Sequence, residues 1–264
     1  MTTESPAAPA KARRPRYPAT VKSVQRLTPR MVRVTFTSPE LEAFGWNGPA
    51  AHIKLIFGDS AAAGAQAQGA EAPRPTMRTY TPRRFDREAR ELVVDFVLHG
   101  DGPASTWASQ AQVGQTLTIA GPGRNYVVDP AAEWFVLAGD ETAIPAISTI
   151  LEALPAGARA SVYLEVVDAG EEHCIQGGPN TIVRWLHRGE DPARAGEKLE
   201  AAVRAHSFPP TRGRVYVACE AGAMRRIRRF LLTERGLPAD HLVTRGYWKL
   251  GATDHPDGDY GQDV

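Results

Sequence analysis

Arg78-Thr79-Tyr80-Thr81-Pro82-Arg83 and His99-Gly100-Asp101-Gly102-Pro103-Ala104-Ser105-Thr106-Trp107 flank an apolar run, Leu92-Val93-Val94-Asp95-Phe96-Val97-Leu98. The tetrapeptide R-x-Y-T puts an aromatic ring, a hydroxyl and a fixed positive charge on one short extended segment. A flavin nucleotide engages all three: a flat face to stack on, hydrogen bonds at its ring edge and a cation for its diphosphate. In the second motif Gly102 lets backbone come close and Ser105 stands at a possible helix start, where bare N–H groups would hold phosphate. Taken singly, each piece also reads as an extended segment or an ordinary polar turn. The pairing of the two across one strand at hairpin spacing is the specific feature.

Outward from there, the run between the motifs alternates. Leu92, Val94, Phe96 and Leu98 point to one face, and Val93, Asp95 and Val97 to the other. Met31 to Phe36 and His52 to Phe57 are rich in β-branched and apolar residues, although Ile56 makes the second alternation imperfect. Val113 to Ala120 reads as a further strand, ending in Gly121-Pro122-Gly123. Short strands punctuated by Gly and Pro, with no long helix, predict a small antiparallel barrel over 17–128. Residues 1–16, dominated by Ala, Pro, Lys and Arg, have almost nothing to bury and predict a disordered tail. Ser60 to Pro75 predicts a mobile loop.

The character changes at Asp129-Pro130. Trp134 to Ala138 is continuously apolar, as a strand buried on both faces must be. Gly139 to Thr142 turns into a helical pattern with Ile147, Ile150, Leu151 and Leu154 on one stripe, Thr142 as candidate cap and Pro145 in the first turn. Further strands are expected at Ser161–Val167, Thr181–Leu186, Val215–Cys219 and Leu242–Trp248, with helices around Leu199–Ala205 and Ala223–Arg235. This alternation predicts a Rossmann-like parallel α/β domain over 129–264. No G-x-G-x-x-G follows its first strand.

Composition narrows the function. A net charge of +1 over 264 residues gives no support to a nucleic-acid or membrane-surface role. Cys174 and Cys219 match no metal or cluster spacing, so an electron carrier would be a bound organic cofactor. Nothing in the chain resembles a transmembrane span or a secretory leader, which predicts a cytoplasmic protein with no membrane insertion.

The two motifs, Trp107, Gly139-Asp140-Glu141-Thr142-Ala143-Ile144-Pro145-Ala146 and Gly246-Tyr247-Trp248-Lys249 occur in that order. Together they resemble the siderophore-interacting, FAD-binding family of ferric-siderophore reductases, from about Tyr17 to His255. The resemblance implies an FAD-binding β-barrel followed by a nicotinamide-binding-type α/β domain related to the ferredoxin reductases. The missing G-x-G-x-x-G fits that type. By position it implies FAD contacts from Arg78, Thr79, Tyr80, Thr81, His99, Gly102, Pro103, Ala104, Ser105 and Trp107, with Asp140, Thr142 and Ala143 set against the flavin. Lys54, Arg124 and Lys249 are the cations it implies for drawing in an anionic ferric siderophore. Alone, His99 would be a strand-end surface residue, Trp107 a core residue and each cation a solvated group.

The implied activity is release of iron as Fe(II), with electrons from NADPH or NADH passing through FAD. Electron transfer requires no acid–base residue, so no proton-transfer catalyst is assigned. Arg225, Arg226, Arg228 and Arg229 could meet a 2′-phosphate and favour NADPH, whereas Asp168 at a strand end suits the ribose of NADH. A ferredoxin is the alternative donor. In the resembled family it accompanies an extra C-terminal helix, and Asp254 to Val264 is short and rich in Asp and Gly. A siderophore-binding protein with a structural flavin is the non-enzymatic alternative.

Overall fold

The computed structural model describes residues 14–58, 75–100, 102–253, 255–256 and 258–262. Seven strands form the first sheet: β1 (Arg16–Thr28), β2 (Met31–Thr37), β3 (Ile53–Phe57), β4 (Thr76–Tyr80), β5 (Pro82–Asp86), β6 (Glu91–Val97) and β7 (Thr116–Ala120). Their order is β4-β3-β7-β1-β2-β6-β5, with antiparallel neighbours throughout. The two edge strands, β4 and β5, are consecutive in the chain with Thr81 alone between them. The sheet must therefore curl until its edges meet, and the covalent chain closes the barrel where a ladder would otherwise run. Val32, Val34 and Phe36 from β2, Leu92, Val94 and Phe96 from β6, and Ile53 and Leu55 from β3 fill the interior. Leu41 and Phe44 join that core from the segment after β2, and Ala104 and Ala108 from helix α1 (Pro103–Ser109).

The start of the barrel and the start of its last strand differ from expectation. The expected tail lies outside the described residues as far as 13, but Arg16 already opens β1, and Tyr17 pairs with Ile119 and is buried. β7 starts at Thr116 because Gly114 takes a left-handed turn (φ 90°), which ends extended geometry at Val113. The expected loop from Ser60 lies outside the described residues up to 74.

The second sheet contains β8 (Trp134–Asp140), β9 (Arg159–Val166), β10 (Thr181–His187), β11 (Gly213–Glu220) and β12 (Leu242–Trp248). All are parallel, in the order β10-β9-β8-β11-β12. The winding reverses between β8 and β11, which makes the crevice at their carboxyl ends the ligand-binding position of such a sheet. Helix α2 (Ile144–Ala153) buries Ile147, Ile150 and Leu151 against one face. Helices α3 (Glu197–Arg204) and α4 (Ala221–Arg229) bury Leu199, Val203, Met224 and Ile227 against the other. After Arg229 the helix widens into a π turn, Phe230–Glu234, which carries the basic helix to its expected end at Arg235. Gly139 is obligatory: a Cβ there would stand 2.5 Å from the Ala143 Cβ and 2.7 Å from the Ala218 carbonyl.

Side chains lock the two sheets together. Met31 leaves the barrel and joins the α/β core with Tyr126. The Thr28 hydroxyl donates to Glu171 Oε2 at 2.5 Å, the Ala50 N–H donates to Thr149 Oγ1 at 2.9 Å, and Arg83 forks onto Glu152 at 2.5 and 3.1 Å. Each such bond contributes roughly 1 kcal/mol. Their spread along the interface fixes the angle between the two units.

Candidate flavin and electron-transfer site

Phe96 brings the two sequence motifs together. The Tyr80 ring lies 4.6 Å from it, centroid to centroid, and the Trp107 ring 5.6 Å. Trp107 also packs on Phe36 at 6.0 Å and Phe57 at 5.7 Å, so it anchors α1 to the barrel core. Tyr80 is half-buried, and burial pushes its phenol up, opposed by the charge of Arg78. Arg78 donates to the carbonyls of Met77 (2.9 Å) and Thr253 (3.3 Å), the latter belonging to the segment beyond β12. Thr79 pairs with Lys54 across the β3–β4 ladder.

The loop between β6 and α1 is tied by a side chain. Ser105, buried, accepts the His99 N–H at 2.9 Å, while His99 itself is exposed. Gly102 caps α1 and its carbonyl accepts from Thr106 at 2.8 Å. Pro103, with no N–H, occupies the first helical position, and Ala104 is buried. No described side chain accepts from the amides that open this helix, which leaves those of Ala104 and Ser105 without a helical partner. Open amides on α1, together with the Tyr80 ring and the Arg78 charge on β4, suit a dinucleotide such as FAD: diphosphate at the helix start, ring system at Tyr80.

Thr81, at the barrel seam, hydrogen-bonds the Tyr247 hydroxyl, which also meets the Tyr216 hydroxyl at 2.8 Å. The R-x-Y-T tetrapeptide is thereby fastened to the end of β12. Next to Tyr247, Trp248 donates its indole N–H to Asp140 Oδ2 at 2.7 Å. Asp140 also accepts from the Glu220 N–H (3.0 Å), the Thr142 N–H (3.0 Å) and the Thr142 hydroxyl (2.5 Å). One buried carboxylate thus joins the carboxyl ends of β8, β11 and β12 at the switch point. Burial and the neighbouring Glu141 charge push its pKa up to about 7, opposed by the bonds from Thr142 and Trp248 and by the charge of Arg188.

The cap of this turn is Asp140, where the sequence had suggested Thr142. Thr142 supplies the donated N–H because a 3-10 turn, Glu141–Ala143, precedes α2. Ala143 is fully buried in the α/β core.

Lys54 sits on β3 opposite both Thr79 and Ala120. The carbonyl of exposed Arg124 meets His52 Nδ1 at 3.0 Å, on the segment that leads into β3. Lys249 is exposed directly after β12, in a turn closed by the Ala252 N–H to the Lys249 carbonyl at 3.0 Å. From there the chain reaches Arg78 through Thr253.

Among the four arginines read as phosphate-seeking, Arg225 forks onto Asp259 (2.9 and 3.0 Å) and Arg226 holds Glu200 at 2.6 Å. Arg228 donates to Thr244 Oγ1 at 3.3 Å, and Arg229 is exposed. Asp168 caps the short turn Ala169–Glu171. Sequence reasoning missed Asp259. Its one available signal was Gly246, whose Cβ would come within 2.6 Å of the Asp259 carboxylate.

Comparison with known proteins accords with this geometry. Residues 20–126 match the family model of the siderophore-interacting FAD-binding domain, and residues 132–251 that of siderophore-interacting protein. The chain is 36% identical to a siderophore utilization protein from T. fusca, over 92% of this chain and 96% of that one, with a TM-score of 0.81. It is 33% identical to the ferric vibriobactin reductase ViuB of Vibrio cholerae, over 89% of this chain and 90% of its relative. Phthalate dioxygenase reductase, at 15% identity and a TM-score of 0.62 over 91% of this chain and 70% of that one, shares the fold alone. The chain belongs to the siderophore-interacting, FAD-binding protein family.

Proposed function

We propose that this protein is an FAD-dependent ferric-siderophore reductase, driven by a reduced nicotinamide nucleotide and releasing iron as Fe(II) in the cytoplasm. The observation that carries the reading is the convergence of Tyr80 and Trp107 on Phe96 at α1, whose opening amides take no side chain among the described residues, with Thr81 bonded to Tyr247. Arg78 and the opening amides of α1 would hold the diphosphate, and Tyr80 would lie against the ring system. When bound, the flavin supplies the conversion of a two-electron hydride donor into single-electron delivery. Trp248 and Tyr247, held by Asp140 and Thr81, would border the reactive edge. Lys54, Arg124 and Lys249 would concentrate an anionic chelate there. Reduction releases the metal because Fe(II) is softer than Fe(III) and is held less tightly by hard oxygen ligands. The relative named ferric vibriobactin reductase supports the same chemistry.

The test is the visible spectrum of the purified protein, titrated anaerobically with NADPH, NADH and reduced ferredoxin in turn, followed by ferric chelate and an Fe(II)-trapping dye. Bleaching by a nicotinamide donor and recovery with Fe(II) release are expected. A flavin that ferric chelate never reoxidises would identify a binding protein and sink the reductase reading.

A further inference from the structure

The carboxyl edge of the parallel sheet offers little to a phosphate. Asp140 takes the Thr142 N–H in the turn leading into α2. Glu165, fully buried, takes the Gly196 and Leu199 N–H groups at the start of α3, at 2.5 and 2.9 Å. Glu220 takes the Ala223 N–H at the start of α4, at 2.9 Å. These amides are the ones an open α/β sheet ordinarily presents to nucleotide phosphates. Here the chain's own carboxylates occupy them, in contrast to α1 of the barrel, whose opening amides take no side chain among the described residues.

Three arginines of this edge are matched as well, while Lys249 lies exposed beyond the end of β12. A cleft of about 530 Å³ between the end of β11 and α3 is walled by Glu197, Glu200 and Glu220, with Arg226 as its one cationic wall residue among the described residues. Arg226 is held by Glu200, Arg225 by Asp259, and Arg188 forks onto Glu141. A 2′-phosphate entering this cleft would meet three carboxylates and one guanidinium already engaged.

On the reading that a reduced nicotinamide nucleotide is the donor, we infer that it engages through its nicotinamide end, that the α/β edge does not hold its phosphates, and that NADH is used in preference to NADPH. The carboxylates that cap α3 and α4 and wall the cleft are then specificity determinants of the reductive half-reaction. They repel the added 2′-phosphate and leave the nicotinamide mononucleotide half as the recognised portion.

Two measurements on the flavin-loaded protein decide this. Calorimetric titration with 2′,5′-ADP and with ADP-ribose should give no saturable binding below about 1 mM, because neither carries a nicotinamide. Anaerobic stopped-flow with NADH, NADPH and reduced nicotinamide mononucleotide should give second-order constants within about threefold for the first and third. NADPH should be about tenfold slower at about 0.05 M salt, the gap narrowing at about 0.5 M. Glu197→Lys, at an exposed position paired with Arg194, should raise the NADPH constant relative to NADH with the melting temperature unchanged. Micromolar binding of 2′,5′-ADP, or NADPH matching NADH at low salt, overturns the inference and leaves the donor assignment standing. If none of the three donors bleaches the flavin, the donor assignment falls and the inference with it.

Discussion

The indole N–H of Trp248 donates to the carboxylate of Asp140 at 2.7 Å, across 108 residues of sequence. The bond ties the last strand of the α/β sheet to the first, and it joins a fluorophore to a titrating group. Asp140 is pushed up to about 7 from an ordinary carboxylate value of about 4. A raised acid binds its proton more tightly in the folded state. Its contribution to stability is therefore full below about pH 4 and lost as pH rises through about 7. Glu165, also raised by burial, carries the same sign. The wild-type minus Trp248→Phe fluorescence difference should show a step near pH 7, as the charged acceptor of the indole bond is lost on protonation. Asp140→Asn should abolish the step. A flat wild-type difference between pH 5 and 9 would mean that Asp140 does not titrate there.

Thr81→Val retains shape and removes the hydroxyl that bonds Tyr247. The Tyr247 phenol keeps Tyr216 as a partner, so no buried donor is stranded. Unfolding by urea should show a loss of about 0.5–1.5 kcal/mol. Flavin affinity should fall as well, because the R-x-Y-T segment loses its tether to β12. Unchanged flavin affinity would confine the bond to a purely structural role.

Tyr80→Ala should lower flavin occupancy by removing a stacking face worth about 1–3 kcal/mol, by analogy with base stacking on aromatic residues. Chromatography of heat-released cofactor measures both its amount and its identity. FAD is expected, and recovery of FMN would contradict a diphosphate at α1.

Lys249→Ala should slow reduction of an anionic ferric tricatecholate and leave a neutral ferric trihydroxamate nearly unaffected. The loss should shrink as salt is raised, and flavin reduction by the nicotinamide donor should stay near wild type. Equal losses on both chelates with no salt dependence would assign Lys249 to support of the fold.

What could be read from the sequence was local. β12 was legible to the residue, and the buried run of β8 announced itself by lacking any polar position. Long-range pairing was not legible. Arg225 and Arg226 look phosphate-seeking in a basic helix because their partners, Asp259 and Glu200, lie 34 and 26 residues away. Asp140 looks like a ligand contact because its bonds to Glu220 and Trp248 arise only when β8, β11 and β12 align. Thr142 resembles a helix cap until a 3-10 turn shifts that role to its neighbour. Nothing local in Thr81 reports that two sheet edges meet there.

That seam restricts how the chain can change length. Tyr80 is in register with Ile53 on one side of Thr81, and Pro82 with Val94 on the other. One residue added or deleted here would turn Arg78 and Tyr80 to the opposite face of β4, or pull the barrel open. Insertions and deletions should therefore be absent at this position in any variant that keeps its cofactor, however freely the residues before β4 are lengthened or trimmed. The single residue between two strands acts as a ruler, and genetic drift in length must be absorbed elsewhere.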